Sequence, residues 1–110
     1  DKTIIDKGGA ILMATIDGEI AGTVALKFVE PGVYEFTKMA VDENYRGKKV
    51  GKALGEAAVE KAKTLGAHKI ILYSNTILIP AVELYRKLGF VEVPVDGPYK
   101  RSNIKMELSF

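Results

Sequence analysis

Arg46-Gly47-Lys48-Lys49-Val50-Gly51-Lys52 sets four cations and two glycines within seven residues. The stretch falls where a strand-like pattern gives way to a helix-like one. Backbone N–H groups in the first turn of a helix have no intrahelical partner, and the helix dipole adds positive potential there. Glycine lets a ligand approach the main chain closely. These residue types in this order suit an anion, phosphate above all. Spacing excludes two phosphate motifs. A Walker A loop needs four residues between its first glycine and its Gly-Lys pair, then Ser or Thr. Here three residues separate Gly47 from Gly51, and Ala53 follows Lys52. The dinucleotide G-x-G-x-x-G pattern is absent. The plain alternative is a solvated basic helix start whose glycines serve the turn.

Other chemistries are narrowed by what the chain lacks. It has no cysteine and one histidine, His68. Thiolate metal sites, a cysteine nucleophile and a multi-histidine metal site are therefore excluded within these residues, and the expected metal complement is none. The same cysteine count suits a reducing cytoplasm. A net charge of +2 does not favour nucleic acid. No apolar run reaches the roughly 20 residues that cross a bilayer, so no membrane partner is expected. At 110 residues and 47% hydrophobic, the chain suffices for one small domain with one core.

The elements that must position the basic turn read clearly. Residues 10–16 form a strand, Asp17-Gly18 a tight turn, and residues 20–29 the hairpin partner. Glu30-Pro31-Gly32 is a second turn before a strand over 33–41. Val50, Ala53, Leu54, Ala57, Ala58, Ala62 and Leu65 then recur at helical spacing, and Gly66 stops the helix. Residues 68–73 are nearly all apolar, as in a strand buried on both faces. A second helix starts at Pro80 and carries Ala81, Leu84, Tyr85 and Leu88 before Gly89. Residues 90–93 and 104–108 are the last strands, joined by a loop with Pro94, Gly97 and Pro98. A helix between the third and fourth strands makes that pair parallel, through a right-handed crossover.

The segment from Lys38 to Lys48 resembles the strand-and-loop entry of GNAT-superfamily N-acetyltransferases, and so does Ala81 to Phe90, with its Leu-Tyr-Arg-Lys-Leu-Gly-Phe run. In the family's Q/R-x-x-G-x-G/A signature, Arg46 matches the first position and Gly51 the last. Lys49 departs from the middle glycine, a poor fit if that residue needs a positive φ. The resemblance runs through essentially the whole chain. It implies a mixed, mostly antiparallel α/β (α+β) sheet with a central parallel strand pair splayed for acyl-CoA and helices packed on it. It also implies that this is a single GNAT domain over 1–110, without the family's N-terminal strand and helices. That would leave an edge of the first strand open, an association hazard that makes a homodimer plausible.

The implied activity is transfer of an acetyl group from acetyl-CoA, the cosubstrate, to a primary amine by direct attack in a ternary complex. The acceptor is a small-molecule or peptide amine. Met39, Ala40 and Val41 would pair with pantetheine through their backbone, one amide polarising the thioester carbonyl. Arg46, Gly47, Lys48, Lys49, Val50, Gly51 and Lys52 would hold the pyrophosphate. Glu35 is the candidate base, against a surface or ion-paired glutamate; Val33 and Thr37 share its face until a bulge beyond Thr37. Tyr85 matches the tyrosine that protonates the departing thiolate, against a helix tyrosine packing on the sheet. Asn75 is a further coenzyme candidate or a turn residue; the usual family asparagine position is Leu78 here. His68 reads as structural, Tyr45 as packing under the loop, and Lys100 and Arg101 as solvated. Two other readings stand beside the enzyme: a non-catalytic acyl-CoA-binding or sensor module of the same fold, and an interaction domain that offers its basic loop to an acidic partner.

Overall fold

Asp17 and Gly18 both take positive φ, 51° and 83°. That is the pair of angles a two-residue type I′ turn requires, and its twist matches that of the strands it joins. It links β1 (Ala10–Ile16) to β2 (Glu19–Glu30). Gly32, at φ 81°, turns the chain into β3 (Val33–Val41). A 3-10 turn (Glu43–Tyr45) leads to α1 (Val50–Thr64), then β4 (Lys69–Ser74), α2 (Ile79–Lys87), β5 (Val91–Val93) and β6 (Ile104–Ser109). This computed structural model describes residues 8–45, 47, 49–74, 79–95 and 103–110, the side chains of 38, 79 and 80 excepted. Arg46, Lys48, Asn75, Leu78, Gly97, Pro98, Lys100 and Arg101 lie outside the described residues.

The described strands form one sheet in the order β1-β2-β3-β4-β6-β5. Every neighbouring pair is antiparallel except β3 and β4, which run parallel as the intervening helix demands. β6 inserts between β4 and β5, an order the strand pattern alone does not specify. Both helices share one core cluster with the sheet: Val50, Leu54, Ala58 and Ala62 of α1 and Val82 and Tyr85 of α2 meet Val24, Leu26, Tyr34, Phe36, Ile70 and Leu72. β4 buries Ile70, Ile71 and Leu72 in succession, as its continuous apolar run predicts.

One expectation for α1 is corrected. Ala53 and Ala57 are exposed rather than inward. The sheet-facing stripe is the narrower row 50, 54, 58, 62, which recurs every fourth residue. The flank beside it belongs to α2. A Cβ on Gly51 would lie 3.2 Å from Leu84, and one on Gly55 would lie 2.5 Å from Leu88. Small residues there let the two helices approach.

Candidate active site

The parallel ladder between β3 and β4 is short. It runs from Val33↔Lys69 to Phe36↔Leu72 and ends there. Beyond it β3 stays with β2, through Thr23↔Ala40 and Gly22↔Val41. β4 stays with β6, through Tyr73↔Lys105 and Ser74↔Ile104. The two central strands therefore diverge. From Thr37 to Val41, β3 has no strand partner on its β4 side among the described residues. The β2–β3 register passes from Ala25↔Thr37 to Thr23↔Ala40, three steps on β3 against two on β2. The extra residue is a bulge just past Thr37, which bends β3 away from β4. Ala40 is exposed, and Met39 and Val41 are half-buried.

The gap leads to the start of α1. Gly47 has φ 82° and Lys49 φ 61° with ψ 23°, so the residue at the helix cap is left-handed without being glycine. Among the described residues no side chain caps that end. The first intrahelical bond runs from the Ala53 N–H to the Lys49 carbonyl at 3.1 Å. The N–H groups of the preceding turn, Val50 to Lys52, are those that an α-helix leaves without an internal acceptor. Lys49 and Lys52 are exposed beside them. Gly51 is in the same turn, with its α-carbon toward Leu84.

One residue in this region has no counterpart among the sequence candidates. A Cβ on Gly22 of β2 would lie 2.9 Å from the Ala40 carbonyl oxygen, 2.8 Å from Leu54 Cδ1 and 3.2 Å from Val50 Cγ1. The bulge, the helix start and the sheet converge on a position with no side chain. A glycine inside an otherwise apolar strand is the signal that could have found it.

Glu35 and Tyr85 stand on opposite faces of the sheet. Tyr85 is 8% exposed and belongs to the core cluster with Phe36, its ring 6.1 Å from that of Phe90. Burial raises its hydroxyl pKa above the ordinary 10.0. Glu35 precedes Phe36 in a regular strand, so its side chain leaves by the other face. It is 7% exposed, between Lys27 of β2 and Ile71 of β4 in the ladder. That register is one step before the parallel pairing ends, so Glu35 stands beside the region where the strands part. On the Glu35 face, Tyr73 and Lys105 follow at the β4 side, the ammonium 5.7 Å from the ring centre. His68 is exposed at the opposite end of the sheet, its N–H bonded to the Gly32 carbonyl at 2.8 Å.

This architecture matches known proteins. The family model described as the acetyltransferase (GNAT) family matches residues 1–90. The chain belongs to that family. It is 38% identical over 89 residues to an N-acetylaspartate synthetase of Xenopus tropicalis, covering 80% of this chain and 33% of that protein. An uncharacterised N-acetyltransferase of Bacillus subtilis is 36% identical over 101 residues, covering 89% of this chain and 65% of that one. The chain thus spans about a third of the length of the N-acetylaspartate synthetase it matches. Among solved structures, a Bacillus subtilis acetyltransferase in complex with CoA superposes with a TM-score of 0.84 at 25% identity, covering 99% of this chain and 81% of that one.

Proposed function

We propose that the chain is the acetyl-CoA-binding core of an N-acetyltransferase that acts on a primary amine. The observation that carries this reading is the early end of the β3–β4 ladder, with the bulge and an uncapped helix start at its mouth. An open strand edge offers amides and carbonyls of the kind that pantetheine's own amides can pair with. The positive φ of Gly47 and Lys49 and the unsatisfied turn after them fit a diphosphate.

Bound acetyl-CoA supplies an activated thioester; the rest of the chemistry falls to the protein. Along Met39 to Val41, the backbone N–H groups that turn away from β2 hold the pantetheine arm and stabilise negative charge on the carbonyl oxygen. Gly47, Lys49, Val50, Gly51 and Lys52 hold the phosphates, with Arg46 and Lys48 proposed beside them. Asn75 stays proposed as a further contact. Glu35 accepts a proton from the amine, directly or through water, so that the nitrogen lone pair can form the C–N bond. As the C–S bond breaks, the electron pair goes to sulfur and Tyr85 donates its proton there. The hydroxyl is protonated at neutral pH, as a donor must be, although burial makes it a weaker acid than a free phenol. The relatives named for N-acetylaspartate make an α-amino acid the first acceptor to try.

The test is release of free thiol from acetyl-CoA over a panel of amines, alongside calorimetric CoA binding. Turnover with at least one amine is expected. Glu35→Gln should lower it about 10²- to 10⁴-fold while CoA affinity stays unchanged. Tight CoA binding without turnover on any amine would leave a binding module of the same fold. No CoA binding would remove the reading altogether.

A further inference from the structure

We propose that the hydrogen bond between Tyr45 and Glu19 positions the diphosphate-binding turn, a role that rests on the coenzyme reading above. The Tyr45 hydroxyl donates to Glu19 Oε2 at 2.9 Å, across 26 residues of sequence. Tyr45 ends the 3-10 turn, immediately before the basic stretch. Glu19 opens β2 directly after the I′ turn and pairs with Ile16. The bond therefore ties the approach to the phosphate turn to the start of β2, beside the I′ turn.

The rest of the segment is tied down at its other end. The Asp42 N–H donates to the Ala21 carbonyl at 2.8 Å, and the Tyr45 N–H to the Asp42 carbonyl at 2.9 Å. The Asn44 N–H donates to Asp42 Oδ1 at 2.9 Å. Backbone bonds thus fix the entry of the turn on β2, and the Tyr45 side chain fixes its exit. A few residues on, Lys49 holds a left-handed conformation that costs a side-chain-bearing residue about 1–2 kcal/mol. Such a conformation persists where its surroundings over-determine it. The hydrogen bond to Glu19 is the largest cause of the raised Tyr45 pKa, so the donor keeps its proton. The Tyr45 ring packs at the edge of the core, which Phe would preserve.

The experiment measures CoA affinity by calorimetry and steady-state acetyl transfer for the wild type, Tyr45→Phe, Glu19→Ala, the double variant and Glu19→Gln. Each of the first two should weaken CoA and raise KM for acetyl-CoA about three- to tenfold, with kcat unchanged. The double variant should be no weaker than the worse single, because both remove one interaction. Glu19→Gln, whose amide oxygen still accepts, should bind as the wild type does. Wild-type affinity in the singles, multiplying effects in the double, or kcat and melting temperature falling together with affinity would each overturn the proposal. A wild type that binds no CoA would bring down the coenzyme reading and this proposal together; unaffected variants of a CoA-binding wild type remove only the proposal.

Discussion

Lys49 illustrates how one side chain can sit where its backbone would prefer none. At φ 61° it occupies a region that glycine enters freely and lysine does not. Lys49→Gly should stabilise the fold by about 0.5–1 kcal/mol, the relief of strain less the entropy glycine loses on folding. Denaturant melts check this as a higher midpoint at constant slope. Tyr85 has a pH signature. Its folded pKa is raised by burial above the unfolded value of 10.0, so the folded chain binds that proton more tightly. The stability this contributes is complete below pH 10 and is lost as pH rises through the folded value. Tyr85→Phe should flatten that alkaline decline, read from melts across pH, and should remove a late-titrating phenol from the absorbance titration.

The decisive contacts at the level of elements are glycine contacts. At Gly22 an added methyl meets the Ala40 carbonyl oxygen, which is backbone on the bulge, as well as Val50 and Leu54. Neither the strand nor the helix start can yield cheaply. Gly22→Ala should therefore cost about 1–3 kcal/mol and weaken CoA binding by pushing the bulge out of place. At Gly55 the closest atom is the terminal Cδ1 of Leu88, which can rotate aside. Alanine there also gains about 1 kcal/mol of helix propensity, so Gly55→Ala should be near neutral. Paired denaturation curves for the two variants test the contrast; equal losses would show that helix spacing matters as much as the bulge.

Among the described residues the sheet carries both helices on one face, and its two parallel strands part beyond Phe36. Among the described residues no helix is long and apolar enough to cross a membrane. A ligand that fills the opening binds the folded chain and not the unfolded one. CoA at a hundred times its Kd should raise the unfolding free energy by about 2.7 kcal/mol. A thermal scan reads this as a melting temperature that climbs with CoA concentration. β1 closes one side of the sheet, and its outer edge has no partner among the described residues.

Local signals determined much of this on their own. Strand-like runs bounded by Asp17-Gly18 and Glu30-Pro31-Gly32 determined the first three strands. The three- and four-residue spacing from Val50 to Leu65 determined the helix but not that Ala53 and Ala57 face outward, and the order of strand and helix determined the parallel pair. Those are interactions between near neighbours, so spacing alone reports them. The basic turn drew attention through its own residue types, and Tyr85 only through the family resemblance. Only the tertiary structure decided that β6 lies between β4 and β5, that the ladder breaks after Phe36, and that Glu35 and Tyr85 stand on opposite faces of the sheet. It alone brought Gly22 against Ala40 and Tyr45 against Glu19. Such contacts join residues far apart along the chain, where strand order, register and bulges set the distances and no local pattern records them.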